Sequence, residues 1–419
     1  MSRVRLIVGS SSGNFVEWFD WFTYSAFSLY FANIFFPTGD QTSQLLKTAA
    51  VFAAGFVVRP LGGWLMGRYA DVAGRRKAMA VSMQFMSAGS FCVGLTPGYD
   101  EIGILAPVIL LGARVLQGLS MGGQYGSCVT YISEVATRAR RGFLSSFQYV
   151  TLILGQLTAM ALLVVLQQVL TPEQLAGWGW RVPFILGGFA ALLALRILLR
   201  LDESQTFEAV RDTAAAVPAW RTLRSHGREV LTVVGLTIGG AVGFYSFTTY
   251  MQKFLTLSAG LSRDAATQIT AIGLFVLMLL QPVMGALSDR IGRRPLLIAF
   301  GALGVVGTYP LMLAISTVTD GMQATVLVVV AMAILAPYTA ISGVYKAELF
   351  PTEIRALGVG LPYAVVGSVF GGTAEFIALW LKQQGVESLF FWYVTASFGI
   401  ALVTALLMAE TKAHSRIAD

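Results

Sequence analysis

Charge is scarce in this chain. Asp, Glu, Lys and Arg make up 12% of its 419 residues, against about 25% in an ordinary soluble domain. Histidine and cysteine are scarcer, with two of each. His226 and His414 both lie in polar stretches, so no His-rich metal set exists. Cys92 and Cys128 sit inside apolar runs, with no paired framework for a disulfide. No G-x-x-x-x-G-K-[ST] loop is present to cradle a nucleotide, and no nucleophile elbow precedes a plausible base. The chain therefore reads as neither an enzyme nor an ATP-driven pump, and no cofactor is expected. A cleavable leader is not expected either, because the first apolar run begins within ten residues and carries Glu17 and Asp20.

What the chain has is apolar length. Apolar residues make up 56%, and the mean hydropathy is +0.70. Runs of roughly 20 apolar residues recur throughout, the length a helix needs to cross a bilayer core of about 30 Å. The periodicity predicts about twelve helices, near 6–31, 45–70, 78–97, 103–133, 142–168 and 181–200, then 229–256, 266–288, 295–317, 322–346, 356–381 and 388–409. The expected organisation is an all-α membrane protein of two six-helix bundles, 1–200 and 229–419, joined by the polar linker 201–228.

The formal charge of +7 invites a nucleic-acid partner, but its placement does not. The cations cluster in short loops on one side: Arg68/Arg75/Arg76/Lys77, Arg138/Arg140/Arg141, the linker, Arg290/Arg293/Arg294 and Lys412/Arg416. The other side receives Lys47, Arg263, Lys382 and little else. By the positive-inside rule the first side faces the cytoplasm, with both termini.

The halves echo each other. Gly67-Arg68-Tyr69-Ala70-Asp71-Val72-Ala73-Gly74-Arg75-Arg76 returns as Gly285-Ala286-Leu287-Ser288-Asp289-Arg290-Ile291-Gly292-Arg293-Arg294, 218 residues on (285 minus 67). Glu134 with Arg141-Gly142 likewise matches Glu348 with Arg355 and Gly358. Duplicated bundles are a common build for secondary transporters, with substrate at the repeat interface. Asp71, Arg75, Asp289 and Arg293 would then be gating residues near helix ends, pairing with neighbours and helix dipoles when the cytoplasmic side is shut.

Four ionisable residues lie deep inside the first half: Glu17, Asp20, Arg59 and Arg114. Each costs roughly 2.5–3.5 kcal/mol on insertion scales, so function or pairing must hold it there. Arg59 is 12 residues from Asp71, about 18 Å at 1.5 Å per residue, near mid-bilayer. Glu17, Asp20 and Tyr24 share one face of the first helix, and Arg114, Gln117, Met121, Gln124, Cys128 and Tyr131 form one stripe of the fourth. A structural ion pair between Asp20 and Arg114 is the plainer reading; a water-accessible transport site is the sharper one. Arg181 with Trp178 and Trp180 reads either as an interfacial belt or as an anion attractor, and Glu375 and Lys382 as surface residues toward the outer end.

With these motifs the chain resembles the major facilitator superfamily over nearly its full length. The paired G-x-x-x-D-x-x-G-R-R loops and Arg114-Val115-Leu116-Gln117-Gly118 carry that likeness. Gly13-Asn14-Phe15-Val16-Glu17-Trp18-Phe19-Asp20, Phe56-Val57-Val58-Arg59-Pro60-Leu61-Gly62-Gly63, Trp178-Gly179-Trp180-Arg181-Val182-Pro183-Phe184 and Lys346-Ala347-Glu348-Leu349-Phe350-Pro351 narrow it to the metabolite:proton symporter branch. Ser146–Ile153 and Phe247–Lys253 are most similar to bacterial α-ketoglutarate permeases. One departure stands out: Gln124 occupies a position where the family commonly has Glu, so no proton is carried there.

The resemblance implies the twelve-helix major facilitator fold, working by alternating access as a proton:dicarboxylate symporter in the bacterial inner membrane, as a monomer. Its partners would be dicarboxylate, protons and lipid. Arg59 would bind one substrate carboxylate, since a guanidinium suits bidentate binding and stays charged. Asp20, or Glu17, would be the proton site, with Arg114 released as its partner is protonated and then free to engage substrate or allow rocking. Tyr24, Gln148, Tyr245, Tyr250, Lys253 and Tyr338 are candidate donors for the second carboxylate, with Lys253 near the outer mouth. A proline or betaine permease is the rival; such relatives often carry a long charged C-terminal coiled-coil extension, and this chain stops about ten residues after the last helix. A sensor built on the same frame is the second rival, and no added signalling domain is seen. A uniporter or antiporter also stays open.

Overall fold

The structure, a computed structural model, describes residues 3–73, 75–121, 129, 133, 136–199, 225–351 and 354–417. The first half comprises α1 (Arg3–Phe35), α2 (Gln41–Ala73), α3 (Arg75–Leu95), α4 (Leu105–Met121), α5 (Arg141–Val169) and α6 (Val182–Leu199). In the second half α7 runs Gly227–Phe244, passes a π turn at Tyr245–Thr249 and continues as Met251–Leu257. There follow α8 (Arg263–Ile291), α9 (Arg294–Thr317) and α10, which runs Gly321–Thr339 and resumes as Ser342–Leu349. α11 runs Arg355–Val366, takes a second π turn at Gly367–Gly371 and continues as Gly372–Gln383; α12 is Ser388–Leu407. Among the described residues there is no strand. A bilayer offers no water to the backbone, so bonds made within each helix are what allow such segments to cross it.

Among the described residues ten helices are long and apolar enough to span a membrane, and α4 is a shorter apolar helix. α1 is 33 residues long yet lies outside the ten; its cost is the polar set it buries, Glu17, Asp20, Thr23, Ser25 and Ser28. Val306, Leu407, Leu231 and Val169 are exposed on the helix exteriors, the surface that lipid tails would cover.

The two halves meet along matching seams: α5 packs on α8, and α2 on α11. Shifting each helix by six positions turns one pair into the other, so the duplication read in the loops is also a symmetry of packing. At the first seam Gly142 and Gly285 face each other, and a Cβ on either would lie 2.7 Å from the other's carbonyl oxygen. Only backbone fits there. Pro60 and Pro282 sit inside α2 and α8 without ending them, whereas α10 breaks just beyond Pro337.

The expected linker 201–228 lies outside the described residues up to position 224, and α7 has begun by Gly227. Gln124, Cys128, Tyr131 and Glu134 also lie outside them, as do the side chains of Asp71 and Arg75.

Candidate functional site

Between the halves lies a cavity of about 60 Å³, room for a few waters. Its walls come from α1, α2, α4 and α5 on one side and α7, α10 and α11 on the other. Glu17, Arg59, Tyr149, Tyr245, Tyr338, Tyr363 and Ser368 supply the polar lining, and Trp18, Phe56, Leu152 and Phe244 the apolar lining. Both π turns open onto it, through Tyr245 and through Gly367 and Ser368. Such turns widen a helix locally and are frequent at functional sites.

Arg59 is held by aromatic faces rather than by acids. Its guanidinium lies 3.9 Å from the Phe56 ring centre, 4.1 Å from Trp21 and 5.4 Å from Trp18. Nη2 reaches Met121 Sδ at 3.2 Å, and Nε has no hydrogen-bond partner among the described residues. Tyr245, Tyr363 and Glu17 are its polar neighbours. Glu17 Oε1 likewise lacks a hydrogen-bond partner among the described residues. A shielded cation with an unused donor is suited to receive an anionic oxygen.

Beside the cavity, inside the first half, sits a second charged group. Asp20 accepts from the Ser90 hydroxyl and, at 2.6 Å, from Gln117 Nε2. Arg114 Nη1 stands 4.0 Å from Asp20 Oδ2, both side chains fully buried. None of the Arg114 nitrogens has a hydrogen-bond partner among the described residues; the cation rests on Tyr24 at 4.0 Å and Trp21 at 5.4 Å. Arg114 and Gln117 are three apart on one helix face, so Gln117 makes the bond that the arginine only approaches. Trp21 therefore neighbours both guanidiniums, one in the cavity and one beside the acid.

Of the expected substrate contacts, Arg59, Tyr245 and Tyr338 line the cavity. Tyr24 does not: it lies under Arg114 and donates to Thr48 O at 3.1 Å. Gln148 is buried near Gly343, and Tyr250 packs against Phe254 and Phe390, each apart from the lining. Lys253 is buried and does not line the cavity; its Nζ lies 2.8 Å from Glu375 Oε1. Glu375, expected at the surface, is 3% exposed. Tyr149 and Tyr363 were not expected, though a signal existed. The echo that carries Glu134 to Glu348 spans 214 residues (348 minus 134) and carries Tyr149 to Tyr363. The two tyrosines share a hydrogen bond in the cavity wall.

The basic loops converge on one end of the molecule. Asp289 accepts from the N–H groups of Gly142 at 2.8 Å and Phe143 at 2.9 Å, capping α5 from across the interface. Arg293 binds Asp289 at 2.9 Å and Glu348 at 3.2 Å. The C-terminal tail joins in: Glu410 accepts from the N–H groups of Arg293 and Arg294, Thr411 bonds Glu348 and Ser415 meets Arg141.

A helical membrane bundle in two interlocked halves, with a charged cavity at their interface, is a transporter rather than an enzyme. The Major Facilitator Superfamily model matches residues 11–374 and 253–417, and the chain belongs to that family. Among curated relatives it is 50% identical to the alpha-ketoglutarate permease of Escherichia coli K12, over 97% of this chain and 94% of that one. It is 34% identical to the citrate-proton symporter of Klebsiella pneumoniae, over 90% and 85%, and 30% identical to the proline/betaine transporter of E. coli K12, over 97% and 83%. A D-xylose-proton symporter of known structure shares the fold with a TM-score of 0.78 at 20% identity, covering 99% of this chain and all of that one (100%).

Proposed function

We propose that the chain carries a dicarboxylate, α-ketoglutarate first, together with protons across the bacterial inner membrane by alternating access. The observation that carries the reading is Arg59: a half-buried arginine whose Nε is shielded and has no hydrogen-bond partner among the described residues, in a cavity shared by both halves. The 50% identity to an α-ketoglutarate permease along nearly the whole chain supports the substrate. In this reading twelve helices cross the bilayer as bundles 1–200 and 229–419, and the molecule acts as a monomer. The face holding Arg293 and the tail is cytoplasmic, because the cations gather there.

Arg59 takes one carboxylate, with Tyr245 and Tyr338 as hydroxyl donors. Asp20 carries the proton. In its charged form it draws Arg114 toward α1; once protonated it keeps Ser90 and Gln117 and loses the charge attraction. Asp289 and Arg293, with Asp71 and Arg75 in the first half, hold the cytoplasmic side shut.

The cavity also supports a second reading. Glu17 and Arg59 line it together, and an acid opposite a base complements a zwitterion such as proline or betaine. Purified protein in proteoliposomes separates the two. Labelled α-ketoglutarate should accumulate under an inward proton gradient, and proline and betaine should not compete. Failure to take up any dicarboxylate removes the first reading, and accumulation without the gradient removes the coupling.

A further inference from the structure

One buried charged cluster has no part in the cavity or the Asp20–Arg114 pair. Lys253 Nζ lies 2.8 Å from Glu375 Oε1 and donates to Ser25 Oγ at 2.7 Å; the Ser25 hydroxyl donates to Glu375 Oε2 at 3.1 Å. The ring is closed. It joins α7 and α11 of the second half to α1 of the first, and all three side chains are at most 4% exposed.

Its depth follows from the helices. α7 and α11 both start at the tail face, where Arg416 binds Glu229 and its carbonyl accepts from Arg355. Both then pass the cavity at Tyr245 and Ser368 and continue to Lys253 and Glu375. Lys253 is 8 residues beyond Tyr245, Glu375 is 7 beyond Ser368 and Ser25 is 8 beyond Glu17. Each step is about 10–12 Å at 1.5 Å per residue. The three residues thus form one layer over the cavity, on the side away from Asp289 and Arg293.

We propose that Ser25, Lys253 and Glu375 are the outer gate, a positioning cluster whose ion pair keeps the cavity shut until the halves rock apart. This rests on the transport reading above. A buried pair is costly to desolvate and holds only while both partners are present. Removing one leaves an uncompensated charge that finds water only if the layer opens; replacing both by apolar groups removes that drive. A single substitution should therefore open the layer and the double substitution should not, a pattern that loss of packing would not produce.

The test uses the full-length protein carrying Cys92→Ala, Cys128→Ala and Leu152→Cys, and its readout is thiol labelling rather than uptake. The thiol at 152, on the cavity wall, reports access to a membrane-impermeant maleimide from either face. Glu375→Gln and Lys253→Met should each raise labelling roughly tenfold from the face opposite the tail, and Lys253→Met/Glu375→Leu should return it to the starting rate. The gate is overturned if the single variants label no faster, if the rise comes only from the tail's face, or if the double variant labels as fast as the singles. A separate Ala413→Cys variant marks the tail. Its labelling in right-side-out vesicles would reverse the orientation proposed above and leave the gate result standing.

Discussion

Asp20 Oδ2 and Arg114 Nη1 stand 4.0 Å apart, close enough to attract and too far to hydrogen-bond. The acid's strong bonds go instead to Ser90 and Gln117. A pair built only to lock helices would close to bidentate contact, because a desolvated guanidinium with idle donors is costly. The loose geometry leaves the carboxyl able to change charge without dismantling its surroundings. Asp20→Asn keeps the shape and the bond to Ser90 while removing the charge. Counterflow exchange of labelled substrate should survive at near wild-type rate, and gradient-driven accumulation should disappear. Accumulation that persists in the variant would move the proton site elsewhere, with Glu17 next in line.

Arg59 is the next test, because a fork and a point charge act differently. Arg59→Gln should abolish measurable uptake while the protein still elutes as a single folded species. Arg59→Lys keeps the charge but loses the planar pair of donors and the stacking on Phe56 and Trp21. Loss of one charge-assisted bond, about 1.5–3 kcal/mol, should weaken apparent affinity by roughly ten- to a hundredfold. Equal uptake in wild type and Arg59→Lys would mean that the site reads charge alone.

The deep charges were legible because they break apolar runs: Glu17, Asp20, Arg59 and Arg114 each stand out against what surrounds them. The paired loops were legible as a duplication, which the matching α5–α8 and α2–α11 seams repeat in packing. Lys253 and Glu375 were not, because they are 122 residues apart (375 minus 253) and meet only when α7 and α11 are placed side by side. Each alone resembles an interfacial charge. Tyr24, Gln148 and Tyr250 show the opposite difficulty. A polar group on a helix with apolar residues all round gives no sign of which face turns inward, and these three turn toward helix contacts. Tyr149 and Tyr363 could have been read from the 214-residue echo, had the repeat been applied to aromatics as well as charges.

At the opposite end, Asp289 caps the first turn of α5 across the interface. Asp289→Ala removes both acceptors and one partner of Arg293. A lost cap costs about 0.5–2 kcal/mol, and here the cost falls on the closed state alone, since the bond spans the two halves. The population open toward the tail's face should rise about two- to thirtyfold, seen as faster labelling of a cavity cysteine from that face. Asp289→Asn retains one acceptor oxygen and should fall between the two.

The tail makes a sharper case, because it touches the proposed tail-face gate of Asp289 and Arg293 without belonging to any membrane helix. Glu410 accepts from the N–H groups of Arg293 and Arg294 at 2.9 Å each, placing a negative charge at the start of α9, where helix dipoles favour it. Thr411 bonds Glu348, the same acid that holds Arg293. Ile417 is buried with Phe350, Ile354 and Val233, so the tail is anchored at both ends. Glu410→Ala should free the Arg293 turn, lower the melting temperature in detergent by a few degrees and raise labelling from the tail's face in the direction of Asp289→Ala. The double variant should gain less than the sum of the two, because both side chains act on one turn of backbone. Full additivity would place Glu410 outside the gate and make it a cap of local helix stability only.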